Sequence, residues 1–302
     1  GEIGSAASIT QKVVTISGVT AANRPYDGTV TVMLTGGTLA GVEAVDSGSV
    51  GFSFCIGTVT SAKAENAKPV STNFALTGAK ASNYSLTQPA GITVNIGKAS
   101  LSIQSASVLG KIYDGTAGAR ITGVTFGGLA FGESLTAGVD YTASGTFDSA
   151  DAGINIPVTV SVTLTDTEKA KNYSISATGS SSASITQKTI TISGVSAVTR
   201  TYDGTVAVAL TGGTLAGVEA ADSGSVGISL GTGTMVNAKA ENAKPVSSNI
   251  TLTGAKASNY SLTQPTGITV DIGKSALGIQ TAVVLDKDYD GTTDATILNV
   301  VF

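Results

Sequence analysis

Arg24-Pro25-Tyr26-Asp27-Gly28-Thr29-Val30-Thr31-Val32-Met33-Leu34 is the stretch from which the fold is read. Its second half alternates, with Val30, Val32 and Leu34 on one face and Thr31 and Met33 on the other. That two-residue period marks a half-buried strand. Asp27-Gly28 ahead of it turns the chain, because glycine takes positive φ without steric cost. A cation stands two residues before the tyrosine, so alternation is expected to put Arg24 and Tyr26 on one face.

The same grouping returns three more times. Lys111, Tyr113, Asp114 and Gly115 form the second copy, Arg200, Tyr202, Asp203 and Gly204 the third, and Lys287, Tyr289, Asp290 and Gly291 the fourth. About 60 residues after each of the first three lies an Asn-Tyr-Ser-(Leu/Ile) tetrad, opening at Asn83-Tyr84, Asn172-Tyr173 and Asn259-Tyr260. A longer period contains this one. Ile9-Thr10-Gln11-Lys12 recurs as Ile185-Thr186-Gln187-Lys188, and about three-quarters of residues 12–98 match residues 188–274. Two repeat types therefore alternate: 12–98, 99–187 and 188–274, with 275–302 the first part of another. Residues 1–11 align with the end of 99–187 and are expected to be the last strand of a preceding repeat. The array is expected to continue in both directions.

Within 12–98, alternating segments at Val13–Ile16, Val30–Leu34, Val50–Phe54, Val70–Leu76, Tyr84–Leu86 and Ile92–Ile96 are separated by turn formers such as Gly36-Gly37 and Asp46-Ser47-Gly48. Six or seven short strands in such a length predict an all-β fold of tandem immunoglobulin-like sandwiches. The joins are short, as in Ile96-Gly97-Lys98-Ala99, and predict an elongated rod. A turn or two of helix is allowed at Leu39–Val45 and Ala62–Ala67, and Thr178–Ser182 reads as a surface loop.

Composition agrees and excludes several functions. Charged residues are 13% of the 302-residue chain, about half the usual ~25%. A net charge of −4 without a basic stripe excludes nucleic acid as a partner. No apolar run approaches roughly 18 residues, so no membrane insertion is expected. Cys55, the only cysteine, has no internal disulfide partner and reads as a small buried hydrophobe. Histidine is absent, and with it the commonest general base. No catalytic residue, cofactor or metal is predicted. The acidic residues Glu43, Asp46, Glu65, Asp148, Asp151, Asp166 and Glu168 fit no calcium loop.

The cation-x-Tyr-Asp-Gly-Thr group reads as a structural anchor: the tyrosine hydroxyl on a backbone acceptor, the aspartate capping the turn or pairing with the cation. A sugar platform of tyrosine and charge is the alternative. In the Asn-Tyr pairs the asparagine suits a turn and the tyrosine a corner.

Taken in order, the Tyr-Asp-Gly-Thr start, the Asp46, Asp140 and Asp222 midpoint, the Pro69-Val70, Pro157-Val158 and Pro245-Val246 strand and the Asn-Tyr-Ser end resemble the YDG-type and related MBG repeats. Those repeats occur in large bacterial surface proteins, many of them filamentous-haemagglutinin-like adhesins. The resemblance implies export, an extracellular location, an immunoglobulin-like fold and a stalk role without catalysis. The partners it implies are neighbouring repeats, with a surface ligand held by other parts of the protein. A fibre of like chains, by lateral packing or strand exchange, is the runner-up, and direct carbohydrate binding a third reading.

Overall fold

The computed structural model describes residues 7–53 and 56–302. Among them the regular structure is strand, interrupted by five 3-10 turns of three residues and no α-helix. Among the described residues no helix is long and apolar enough to cross a membrane. Thr, Val and Ile fill the strands and Gly the turns, as their steric preferences require.

The chain forms two compact units. The first holds residues as far as Gly110, with Ala117–Asp148 and Asn155–Ala183. The second holds Lys111–Thr116, Ser149–Ile154 and Ser184–Phe302. Two segments of the 99–187 repeat thus cluster with the repeat that follows.

In the first unit, Lys12–Ala21 lies between Leu34–Ala40, antiparallel, and Tyr84–Thr87, parallel. Thr93–Gly97 lies between Arg24–Pro25, parallel, and Glu65–Pro69, antiparallel. Val14 and Ile16 alternate inward along the first strand, Val94 and Ile96 along the last. Repeat 99–187 keeps the pattern with longer strands. Ala99–Leu109 pairs with Gly118–Gly127 and with Tyr173–Ile175, while Tyr141–Phe147 pairs with Gly153–Leu164. Register shifts after Ile103 and Ser107 are bulges of the kind that bend and twist a strand. One apolar cluster runs from Ile16 to Tyr173, so these two repeats share buried contacts. Only Lys98 separates Thr93–Gly97 from Ala99–Leu109.

In the second unit, Lys188–Ala197 lies between Ala207–Ala216 and Tyr260–Thr263 with the same directions. Ile192, Val208, Leu210, Met235 and Ile272 fill the core. The edge-to-face pair Phe52 and Phe74 of the first repeat gives way to Ile228 and Ile250. Residues 275–302 carry one hairpin, Thr281–Leu285 with Thr296–Val301, whose side chains are almost all exposed.

Several sequence expectations change. Leu34–Ala40 and Glu65–Pro69 are strands where helix was allowed, and the first allowed site keeps only the 3-10 turn Ala44–Asp46. Thr178–Ser182 is no loop, since Gly179–Thr186 is a strand. A side chain on Gly179 would meet Ile103 at 2.5 Å, and Ser181 Oγ donates to Ala106 O at 2.8 Å. Pro157-Val158 and Pro245-Val246 lie in the strands Gly153–Leu164 and Lys244–Ser247, whereas in the first repeat the expected strand Val70–Leu76 is broken: Pro69 ends Glu65–Pro69, Ser71 makes one bridge to Thr58, and regular strand resumes at Ala75–Thr77. Residues 7–11, expected to belong to a strand, form none. Phe54, Cys55 and residues 1–6 lie outside the described residues.

Candidate functional site at the repeat junctions

Each Tyr-Asp-Gly-Thr copy builds one small loop. Asp27 Oδ1 accepts the Thr29 N–H and hydroxyl, both at 2.8 Å, and Arg24 Nη1 at 2.5 Å. Arg24 Nη2 also reaches Thr29 O at 2.6 Å. Lys111 with Asp114 and Thr116, Arg200 with Asp203 and Thr205, and Lys287 with Asp290 and Thr292 repeat the pattern. Gly28, Gly115, Gly204 and Gly291 all sit at positive φ. Burial pushes the Asp27 carboxyl up, but the Thr29 donors and the Arg24 guanidinium outweigh it and hold its pKa low. For Asp114 the same opposition, burial against Lys111 and Thr116, ends at about 2. Asp203 and Asp290 are lowered chiefly by the backbone N–H groups of Thr205 and Thr292.

The tyrosine leaves this loop. The strand ends at Pro25, so alternation stops short of Tyr26: the cation folds over its own loop while the tyrosine reaches the next repeat. Tyr26 Oη donates to Glu133 Oε1 at 2.5 Å, and Tyr113 Oη to Asp222 Oδ2 at 2.7 Å. The acceptor is therefore a carboxylate of the following repeat and not a backbone carbonyl.

That carboxylate also takes the Asn-Tyr tyrosine of its own repeat. Tyr173 Oη donates to Glu133 Oε2 at 2.5 Å and Tyr260 Oη to Asp222 Oδ2 at 2.6 Å. The paired rings meet edge to face, Tyr26 with Tyr173 at 5.4 Å and Tyr113 with Tyr260 at 5.3 Å, a favoured quadrupole geometry. The backbone turn is the same in each repeat. The acid's N–H bonds the carbonyl three residues back, and that earlier residue's N–H bonds the tyrosine oxygen: Glu43 to Tyr84, Ala130 to Tyr173, Glu219 to Tyr260. Burial first, and the carboxylate acceptor second, push Tyr173 and Tyr260 up to about 12. Tyr26 and Tyr113 are raised for the same reasons.

The asparagines close the other side of each junction. Asn172 Oδ1 accepts Ala64 N at 2.9 Å, and Asn259 Oδ1 accepts Ala152 N at 2.8 Å. One ion pair accompanies each, Lys63 with Glu168 at 2.5 Å and Lys256 with Asp151 at 2.6 Å. The Lys63 loop is anchored by buried Lys68, which bonds Ser61 and Glu65. One junction lies wholly in the first unit and the other wholly in the second.

Four motif residues stand outside any junction. Tyr84 bonds Asp46 at 2.8 Å but meets no incoming tyrosine ring among the described residues, and Asn83 is exposed. Tyr202 is 45% exposed and Tyr289 is 98% exposed. In repeat 99–187 the midpoint acid is Glu133, not Asp140. Asp140 instead closes its own loop, accepting Thr136 N and the Thr167 hydroxyl. A usable signal existed: an acid stands five residues after a positive-φ glycine at Gly41 and Asp46, Gly128 and Glu133, and Gly217 and Asp222. Among the described residues, no three of His, Cys, Asp and Glu come together as a metal site.

Fold and junctions together define an all-β tandem-repeat protein whose successive repeats are joined by tyrosine–carboxylate contacts. The YDG domain matches three times, over residues 10–91, 97–181 and 186–267, and the chain belongs to that family. No curated protein and no solved structure matched.

Proposed function

We propose that this chain is a stalk segment of a large exported bacterial surface protein, in which each repeat closes as an immunoglobulin-like sandwich and successive repeats form a rod. It performs no catalysis. It acts from outside the cell and carries a ligand-binding part located elsewhere in the protein. The observation that carries this reading is the junction built twice from non-identical residues, Glu133 in one and Asp222 in the other. A buried hydroxyl–carboxylate bond is shorter and stronger than a neutral one, and a join of one residue leaves little freedom for bending. Repeats that contact only their neighbours set length by copy number, which suits a spacer.

Small-angle scattering from the dilute chain tests the shape. A rod gives a distance distribution skewed to long separations, whereas a symmetric, compact distribution contradicts the stalk. Protease treatment of intact cells tests the location: loss of the repeats from the cell exterior supports it, and full protection contradicts it.

A further inference from the structure

The two internal junctions are built alike, but one ion pair is reversed in sign between them. Ala64 N–H and Ala152 N–H are each accepted by the asparagine of the following repeat. Lys63 and Asp151 immediately precede those alanines and so hold the same position. Lys63 pairs with Glu168 at 2.5 Å, and Asp151 pairs with Lys256 at 2.6 Å. The leading repeat therefore brings the cation to the first junction and the anion to the second.

The receiving side changes sign to match. Glu168-Lys169-Ala170-Lys171-Asn172 aligns with Ala255-Lys256-Ala257-Ser258-Asn259, so alanine replaces the acid. Lys169, the counterpart of Lys256, donates instead to Ser134 O of its own repeat at 3.0 Å, and Glu168 is left to meet Lys63. Lys171 stands 3.4 Å from Glu168 and is shared with Asp166. The tyrosine contact makes no such distinction. Tyr26 and Tyr113 both donate to a carboxylate and meet a tyrosine ring edge to face.

We propose that this ion pair decides which repeat can follow which. Repeat 12–98 set directly against 188–274 would bring Lys63 to Lys256, with no acid at the position of Glu168. Repeat 99–187 set against a second copy of itself would bring Asp151 to Glu168. Only unlike repeats place opposite charges together, so each type takes the other as its neighbour. Specificity is a difference of affinities, and repulsion in the wrong pairing supplies it without any gain in the right one. The need arises within the chain. Glu133 with Tyr173 and Asp222 with Tyr260 offer the Tyr26 loop two similar seats, and misassembly between like repeats is a characteristic failure of arrays. The inference goes beyond the stalk reading and is independent of it, since neighbour selection requires neither export nor a rod.

Charge reversal in the full chain is the test. Lys63→Asp gives the first junction the charges of two 99–187 repeats, and Asp151→Lys gives the second those of 12–98 against 188–274. The four side chains are between 38% and 68% exposed, so the variants fold, as circular dichroism checks. Amide exchange at low ionic strength reads each junction through the protection factor of the Ala64 or Ala152 N–H. Lys63→Ala should lower Ala64 protection by up to about five-fold, the span of an exposed ion pair. Lys63→Asp should lower it at least about two-fold further, and added salt should narrow that gap. Glu168→Lys added to Lys63→Asp, and Lys256→Glu added to Asp151→Lys, should restore most of the protection. Equal protection in Lys63→Ala and Lys63→Asp would overturn the proposal, as would swapped pairs no better protected than the single reversals.

Discussion

Asp222 and Asp46 occupy equivalent turns in repeats that share most of their sequence, yet their surroundings differ. Around Asp222, Asn259 is 1% exposed and Tyr113 is 3% exposed. Around Asp46, Asn83 is exposed and no second tyrosine contacts the carboxylate among the described residues. The repeat supplies the acid, the turn and one tyrosine in both cases. Burial comes only when a preceding Tyr-Asp-Gly-Thr loop arrives. A motif present in every repeat can therefore serve the connection between repeats more than the fold of any one of them.

The strongest way to break this comparison is to remove the acceptor. Asp222→Ala leaves the hydroxyls of Tyr113 and Tyr260 buried without it, at about 1–3 kcal/mol for each orphaned donor. Urea unfolding should show a loss of about 3 kcal/mol in the second unit, and a clearly smaller one for Asp46→Ala. Equal losses would mean that the junction adds nothing.

Gly28 and Gly204 sharpen the same contrast. Both sit at positive φ, and a Cβ at 28 would stand 3.2 Å from Ala130 Cβ of the next repeat, whereas one at 204 meets nothing. Alanine in that conformation costs roughly 1–2 kcal/mol. Gly28→Ala should exceed Gly204→Ala by a few tenths to about 1 kcal/mol, the part due to crowding at the junction.

The loops should respond to acid. Asp114 titrates at about 2 in the folded chain against 3.8 ordinarily, and Asp27, Asp203 and Asp290 are also lowered. A lowered carboxyl stabilises the fold above its unfolded pKa, and that contribution fades as pH falls. Thermal stability should hold down to about pH 4 and decline from there toward pH 2. An Asp114→Asn variant should show a shallower decline.

Alkali probes the tyrosines and gives the smallest effect. Tyr173 and Tyr260 are raised to about 12, with Tyr26, Tyr84 and Tyr113 also raised. A raised pKa means stability that is complete below the unfolded value of 10.0 and is lost as pH climbs through the folded one. Phenolate absorbance should therefore show these five tyrosines ionising late. Early ionisation of the five would deny the hydroxyl–carboxylate bonds.

Much of this fold is legible in the sequence because its signals are local. Val14 and Ile16 alternate with exposed neighbours, Asp27-Gly28 dictates its own turn, and the repeat is visible by self-comparison. The contact from Tyr26 to Glu133 spans 107 positions, and no local period encodes it. Glu133 was obscured further by Asp140, which stands nearer the midpoint but bonds within its own loop. Arg24 and Tyr26 share a spacing that predicts a shared face, yet the two-residue strand Arg24–Pro25 ends before the alternation can hold. Glycine usually marks a loop, so Gly179 predicts one; here it admits the Ile103 side chain to the strand.

The coupling between Tyr113 and Asp222 is measured most directly by a double-mutant cycle. Unfolding free energies of Tyr113→Phe, Asp222→Ala and the combined variant isolate the pair from their other contacts. Coupled repeats predict an interaction of at least about 1 kcal/mol, in the range of a hydrogen bond to a charged group. Losses that simply add would contradict it.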